Sequence, residues 1–512
     1  MPTTTARRPH ARATRLVIVL AMVAATLAAV PTTARAHALC GPLTGMAATV
    51  ARALDAVNVF RPIVDTSATA CPDQFADVEP VARRDWVGDQ VAGAPSEAER
   101  AEGARMPRGK SNKPQTKANC DDGMAAGEFA CDNVAIWSHV SMDELGGPDG
   151  AITFVNDMWG WTDAQTRKDY ALVGTGDGVV IVDISDKLRP VVNGILPTSS
   201  TDGGFFWRDL KVYANHMFVG SEHENHGIQV FDLTRLRDWD GTYTTYDEET
   251  IYTGVGASHN VAINEDTGYL YVMGADPSQS INGCGTGLHM VDIQNPTNPT
   301  FAGCYDDDNY IHDTQCVVYD GPDADYQGHE LCFNAAPETP AGTSDPRDSF
   351  SVTDVTDKAN PVRLFDDVYD GGPFGYSHQG WLTDDKSTFF SGDELDEFVS
   401  GIPTVTRSWD VSDLDNPVRM DDYFPGTTSV DHNMYIEDDL MYQSNYTSGL
   451  RVVDVSDPAN PQEVGYFDMY PESEAANFDG GNWSNYPYFR QPNVVAASSI
   501  DRGLFILNPD AG

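Results

Sequence analysis

One phrase recurs along this 512-residue chain. It reads Gly-Val-Val-Ile-Val-Asp-Ile-Ser-Asp at 178–186, Gly-Ile-Gln-Val-Phe-Asp-Leu-Thr at 227–234 and Gly-Leu-His-Met-Val-Asp-Ile at 287–293. It returns as Phe-Ser-Val-Thr-Asp-Val-Thr-Asp at 350–357, Arg-Ser-Trp-Asp-Val-Ser-Asp at 407–413 and Gly-Leu-Arg-Val-Val-Asp-Val-Ser-Asp at 449–457. Each copy is a β-branched run, an Asp and a turn. The Asp positions 183, 232, 292, 354, 410 and 454 recur roughly every 45–60 residues, the length of one four-stranded propeller blade. The expected fold is all-β: a β-propeller of seven blades. The last three strands, near 484–490, 493–498 and 502–508, need a fourth, and 133–140 from the start of the domain is expected to supply it. The pairing would leave no free sheet edge. The repeated Asp reads as structural, its carboxylate bonding backbone N–H groups of the following turn.

The N-terminus predicts export. Arg7, Arg8, Arg12 and Arg15 precede an apolar run from Leu16 to Val30, followed by the A-x-A sites Ala34-Arg35-Ala36 and Ala36-His37-Ala38. This is a signal-peptide pattern over 1–36. Residues 37–118 read as an extension and linker, and 119–512 as the propeller. No apolar run follows Ile506, so neither a C-terminal anchor nor a transmembrane segment in the mature chain is expected. Eight cysteines fall into neighbouring couples, and an exported chain meets an oxidising compartment. The expected disulfides are Cys40–Cys71, Cys120–Cys131, Cys284–Cys304 and Cys316–Cys332. Acidic residues outnumber basic ones by 77 to 32, for a net charge of −45. Nucleic acid is therefore excluded as a partner. The acidity suits solubility, or cation binding by acidic loops.

A second pattern opens the blades. Ser258-His259-Asn260, Ile311-His312-Asp313, Ser377-His378-Gln379 and Asp431-His432-Asn433 start four of them, and Trp207-Arg208-Asp209 starts another. Asn156-Asp157 and Ser484-Asn485 take the slot in the first and last. First strands line the channel of a propeller, so His259, His312, His378 and His432 would form an arc at its mouth. Neutral imidazoles there could hold a transition metal, touch a ligand without metal, or simply bond backbone and water. The ends of the second strands add Glu222, Asp276, Asn334, Asp393-Glu394 and Asn445. Arg208, Asp209, Glu222, Asp393, Glu394 and Asn445 are the candidate ligand-binding residues. The run Asp393-Glu394-Leu395-Asp396-Glu397 is either a solvated loop or part of a calcium-type cation site, though without EF-hand spacing. Trp159, Trp161, Trp207, Trp381 and Trp483 fall near first strands, as inter-blade core or as a sugar-stacking platform. No G-x-S-x-G, H-E-x-x-H or P-loop is present, and no catalytic residue is assigned.

The chain resembles the choice-of-anchor B proteins, built from LVIVD-type repeats. The residues that carry the resemblance begin with Cys120-Asp-Asp-Gly-Met-Ala-Ala-Gly, Cys131-Asp-Asn-Val and Asp157-Met-Trp-Gly-Trp-Thr-Asp. Trp207-Arg-Asp-Leu-Lys-Val, Ser258-His-Asn, Ser377-His-Gln-Gly-Trp-Leu-Thr, Asp393-Glu-Leu-Asp-Glu, Asp431-His-Asn and Trp483-Ser-Asn-Tyr-Pro continue it. The resemblance covers about residues 119–509 and implies an exported surface or secreted propeller, with no established activity. Three readings follow: a binding module for an extracellular protein or glycan, a metal-dependent enzyme using the four histidines, or a structural envelope protein. The sequence leaves the ligand and the oligomeric state open.

Overall fold

The computed structural model describes residues 116–510, apart from 151, 153, 202–206, 309, 338–347, 370–375 and 474. Every described residue belongs to one compact unit, Val87–Gly512. The expected signal peptide, nearly all of the 37–118 extension and the Cys40–Cys71 pair lie outside the described residues.

Among the described residues seven sheets follow one another, antiparallel except for one short added strand. The first runs Val155–Thr162, Asp169–Thr175, Gly178–Asp183 and Val191–Pro197. The second has Arg208–Tyr213, His216–Ser221, Ile228–Asp232 and Thr250–Tyr252; the third, Asn260–Asn264, Tyr269–Met273, Leu288–Asp292 and Thr300–Tyr305. The fourth has Asp313–Val318, Glu330–Ala336, Asp348–Asp354 and Val362–Tyr369; the fifth, Ser377–Leu382, Thr388–Asp393, Arg407–Asp410 and Val418–Arg419. Met434–Glu437, Leu440–Ser444, Leu450–Asp454 and Gln462–Phe467 form the sixth. The seventh joins Asn482–Tyr486, Val495–Ser499 and Gly503–Asn508 to Ala135–Val140, which comes from the N-terminal side. The first strand of each sheet packs against the first strand of the next, and that of the seventh against that of the first.

The strands are near-continuous β-branched runs because their sheets are covered on both faces. Gly178–Asp183 is buried at every position. Between the first and second sheets, Trp159, Trp161, Leu172 and Ile181 meet Leu210, Met217, Val219 and Phe231. Between the fourth and fifth, Phe333, Phe350, Phe389 and Trp409 form one aromatic cluster.

The recurring Asp is structural. Asp183, Asp232, Asp292, Asp354, Asp410 and Asp454 each accept the backbone N–H two residues on, at 2.9–3.0 Å. Asn508 does the same in the seventh sheet at 3.4 Å. The third and fourth strands shift register just before this residue in five sheets, at Ile181/Val182, Met290/Val291, Val352/Thr353, Val452/Val453 and Ile506/Leu507. This repeated bulge bends the outer edge and has no signature in the sequence phrase.

The last blade forms as expected, its fourth strand coming from the N-terminal side, and three features depart from a plain four-stranded sheet. The segment 242–252 is divided: Thr250–Tyr252 stays in the second sheet, while Thr244–Thr245 pairs in parallel with Gly194–Ile195 of the first. A Cβ at Gly194 would collide with the Thr244 carbonyl oxygen, so glycine permits that approach. Residues 120–132 form three short strands that extend the sixth sheet beyond Gln462–Phe467. The outer strand of the fifth sheet is only Val418–Arg419. Cys120–Cys131, Cys284–Cys304 and Cys316–Cys332 pair as expected. Among the described residues no helix is long and apolar enough to cross a membrane.

Two tests follow from this packing. Removing residues up to Val140 takes the outer strand from the seventh sheet and bares the edge of Gly503–Asn508. The truncated chain is expected to aggregate, read by size-exclusion chromatography beside the intact protein. The second concerns His226, which is fully buried and pushed down to about 3 by burial, with the Arg208 charge adding to the effect. Below about 6.5 the unfolded chain binds a proton that folded His226 refuses. Its contribution therefore destabilises the fold as pH falls from about 6.5 toward 3 and is level above that window. His226→Gln is expected to remove about 1.4 kcal/mol per pH unit of the slope, measured by urea unfolding between neutral and acidic pH.

Candidate metal centre

The four histidines sit at the entrance of successive inner strands, and the structure brings them into one row. Ring centroids are 4.5 Å apart for His259 and His312, 4.1 Å for His312 and His378, and 4.2 Å for His378 and His432. Glu222 and Glu394, from the ends of second strands, close on this row.

Hydrogen bonds fix which nitrogen each ring presents. His312 Nδ1 donates to the His378 carbonyl at 2.8 Å, and His432 Nδ1 donates to the Trp483 carbonyl at 2.6 Å. A carbonyl only accepts, so both protons are on Nδ1 and the neutral rings keep their Nε2 lone pairs. Such outer contacts orient metal-binding imidazoles. His378 Nε2 lies 3.5 Å from Glu394 Oε2, and His432 Nε2 lies 3.6 Å from Glu394 Oε1. Tyr446 donates its hydroxyl to Glu394 Oε1 at 2.6 Å. Ligand atoms of His378, Glu394 and His432 all lie within 4.8 Å of one another.

The electrostatics suit a cation. Burial pushes His312 and His378 well below the usual imidazole range, helped by the neighbouring histidines, and pushes His432 down to about 3. All three are neutral donors at pH 7. Burial pushes Glu394 up to about 7, against the Tyr446 hydrogen bond and the His259 charge. His259 differs from the other three. Burial pushes it down, but the hydrogen bond and charge of Glu222 outweigh this and the net displacement is upward. Its Nδ1 is 2.6 Å from Glu222 Oε1 and its Nε2 2.7 Å from His312 Nε2. Protonated His259 therefore donates to Glu222 on one side and His312 on the other. Two imidazoles and a carboxylate, with a third imidazole adjacent, form a donor set for a first-row transition metal.

The other candidate residues divide between this centre and its surroundings. Glu222 and Glu394 belong to it. Asp209 lies deeper, one residue further along its strand, where its Oδ1 meets Lys211 Nζ at 2.6 Å and its Oδ2 accepts Val261 N–H at 2.9 Å. Asp157 and Asp313 share that layer. Burial, then Asp209, pushes Asp157 up to about 7; burial pushes Asp313 up to about 8, with Asp209 adding and Lys211 opposing. Arg208 is buried and donates to the Gly176 carbonyl at 3.2 Å, apart from the histidines. Asp393 faces away from the centre and accepts Tyr376 N–H at 2.6 Å. Asn445 is buried beside Tyr446, and its amide meets no partner among the described residues. Trp159 and Trp161 are inter-sheet core, with Trp381 packed against it. Trp207 and Trp483 stack at 4.7 Å, and Trp483 lies 4.7 Å from His432.

Tyr446 and Lys211 escaped the sequence reading. Tyr446 directly follows the quoted Asn445, but tyrosine is a common core residue and nothing local marks its partner. Lys211 stands in Trp207-Arg-Asp-Leu-Lys-Val, two residues after Asp209. On a strand that spacing puts both side chains on one face, which is the signal that could have found it.

Three segments match the LVIVD repeat: 166–198, 256–307 and 442–469. They fall on the first, third and sixth sheets. The chain carries LVIVD repeats. No curated protein matches it. Among solved structures, it is similar to the β-propeller domain of Cps50 (Swd1) from Myceliophteria thermophila, at 12% identity and a TM-score of 0.41 over 66% of this chain and 92% of that one. It is also similar to the computationally designed protein Ika8, at 10% identity and a TM-score of 0.42 over 78% of this chain and 98% of that one. With the sheets and repeats above, the protein is an all-β LVIVD-repeat propeller.

Lys211 is the cation of the deeper layer, and its removal leaves buried aspartates uncompensated. Lys211→Met is expected to cost about 3–5 kcal/mol. Adding Asp209→Asn should recover part of the loss, as urea unfolding of the single and double variants would show.

Proposed function

We propose that this chain is an exported, seven-bladed β-propeller that captures its ligand through a transition-metal ion at one end of its channel. His378, His432 and Glu394 hold the ion, with His312 beside them. The observation that carries the reading is the convergence of these donors, with Nδ1 of His312 and His432 already committed to backbone carbonyls. Seven consecutive sheets whose first strands pack in a cycle support the blade count. The signal-peptide pattern, the paired cysteines and the resemblance to choice-of-anchor B proteins support export to the surface or medium. An extracellular protein or glycan is the proposed partner class.

A metal-dependent enzyme is the second reading, favoured by one observation: the His259–Glu222 pair sets a proton directly beside the donors. In that reading the metal acts as a Lewis acid, His378, His432 and Glu394 orient it, and His259 holds the proton at Nε2.

Elemental analysis of protein purified without chelator or affinity tag tests both readings. About one transition metal per chain is expected, and it should be lost in His378→Ala. Tyr446→Phe, which frees Glu394 from its hydroxyl partner, is expected to weaken metal binding by about 10–100-fold, read by chelator competition. A folded wild-type protein that takes up no zinc, copper, iron, nickel or manganese overturns the metal-centre reading and leaves a metal-free binding surface.

A further inference from the structure

A cavity lies in the channel on the side away from the histidines. The histidines stand at the start of the inner strands, and the cavity is lined by residues further along those strands. Trp159, Lys211, Ala262, Gln315, Trp381 and Tyr435 each reach it from a different inner strand, which sets it on the channel axis. Trp381 is three residues beyond His378 on one strand, roughly 10 Å from it along the chain.

The wall is aromatic and the floor polar. Trp381 packs on Tyr435 at 5.0 Å and Trp159 on Tyr435 at 5.5 Å. Trp381 remains partly exposed. The cavity holds about 40 Å³, room for roughly three waters. Lys211 Nζ meets Asp209 Oδ1 at 2.6 Å, and Asp157 and Asp313 also act on its charge. Asp313 lines the cavity, with Oδ1 accepting the Thr314 N–H at 2.7 Å. Burial pushes Asp313 up to about 8, so its carboxyl keeps a proton at pH 7 and can donate as well as accept. Gln315 Oε1 accepts the Leu382 N–H at 2.8 Å, which leaves its amide nitrogen to donate.

The chemistry of this lining narrows the ligand. Three carboxyl groups around one ammonium disfavour an anion. Lys211 already lies over the Trp159 ring at 4.6 Å, the place a cationic ligand would use. An apolar ligand would strand the ammonium and the carboxyls away from water. A neutral polyhydroxylated ring suits every group: its C–H face covers an indole, and its hydroxyls both donate and accept. Hydroxyl groups also match the waters that the floor admits, whereas a whole ring exceeds it.

We infer that this end of the channel is a second binding site, which seats the terminal residue of a neutral glycan. The sugar ring stacks on Trp381 at the opening, and its hydroxyls enter the floor toward Lys211, Asp313 and Gln315. The site uses no residue of the histidine centre and does not depend on a metal there.

The test titrates the full mature protein with cellohexaose, laminarihexaose, xylohexaose, mannohexaose and chitohexaose, read by tryptophan fluorescence. Hexagalacturonate and tetramethylammonium serve as anionic and cationic probes. Saturable binding of at least one neutral oligosaccharide is expected, unchanged after chelator treatment. Trp381→Leu is expected to weaken it about tenfold or more, with Trp381→Phe retaining most of it and both keeping the wild-type far-ultraviolet circular dichroism and transition-metal content. No saturation by any of the five neutral probes overturns the site. Saturation by hexagalacturonate or tetramethylammonium alone overturns the ligand class. Full binding in a folded Trp381→Leu, or binding lost with the chelator, also overturns the site, the second result moving the glycan to the histidines. If Trp381→Leu does not fold, Asp313→Ala is titrated in its place, and undiminished binding there overturns the site. A protein without transition metal that still binds the glycan leaves this site standing, so the two readings fail separately.

Discussion

The structure depends on side chains of the inner strands that bond backbone groups of a neighbouring sheet. Asp209 accepts the backbone N–H of Val261, Asn260 donates to the carbonyl of His312, and Gln379 both donates to the Met434 carbonyl and accepts from its N–H. Asn485 reaches back to the carbonyl of Tyr442. The bonds to Val261, His312 and Met434 satisfy backbone groups at the inner edge, which have no ladder partner toward the channel. The histidines belong to the same system. His312 and His432 use Nδ1 for the inter-sheet bond; that commitment leaves Nε2 of His432 for the centre and Nε2 of His312 to accept from His259. Structural and chemical roles thus fall on the two nitrogens of one ring rather than on different residues.

Most of the fold was legible because it repeats. A β-branched run ending in Asp fixes a strand and its turn, and the period fixes how often that unit recurs. The strand Ala135–Val140 could be placed because the last three strands lacked a fourth. The three strands over 120–132 could not, since nothing in their sequence names the edge of the sixth sheet as partner. Of the site, the four histidines were legible as a slot shared by successive units. Which carboxylate they meet was not. Glu394 and Asp393 are adjacent and chemically alike, and only strand direction separates the one facing the histidines from the one facing Arg407. Tyr446 and Arg407 act across sheets, at separations that no local pattern records.

The acidity of the chain takes two physical forms. Carboxylates of the repeated turns lie at the outer end of the third strands, near water, where each is held by a backbone N–H. Other carboxylates are buried, and burial drives Asp157, Asp313, Glu394, Asp396, Glu397 and Asp431 toward the protonated state. Lys211 and Arg407 oppose this at single points. The first kind specifies turns, and the second leaves an interior whose charge is set by burial and by two basic side chains, Lys211 and Arg407.

The strand Ala135–Val140 sits some 360 residues from its partner Gly503–Asn508 along the chain, a separation that His139 bridges with a bond to the Arg502 carbonyl at 2.7 Å. A contact so distant forms late, because loop closure must precede it. The anchor of His432 is the Trp483 carbonyl, which belongs to that last-closing sheet. An incomplete chain therefore has the histidines but not the orientation of His432. One wall of the centre is thus borne by the sheet that the two ends of the described chain complete between them.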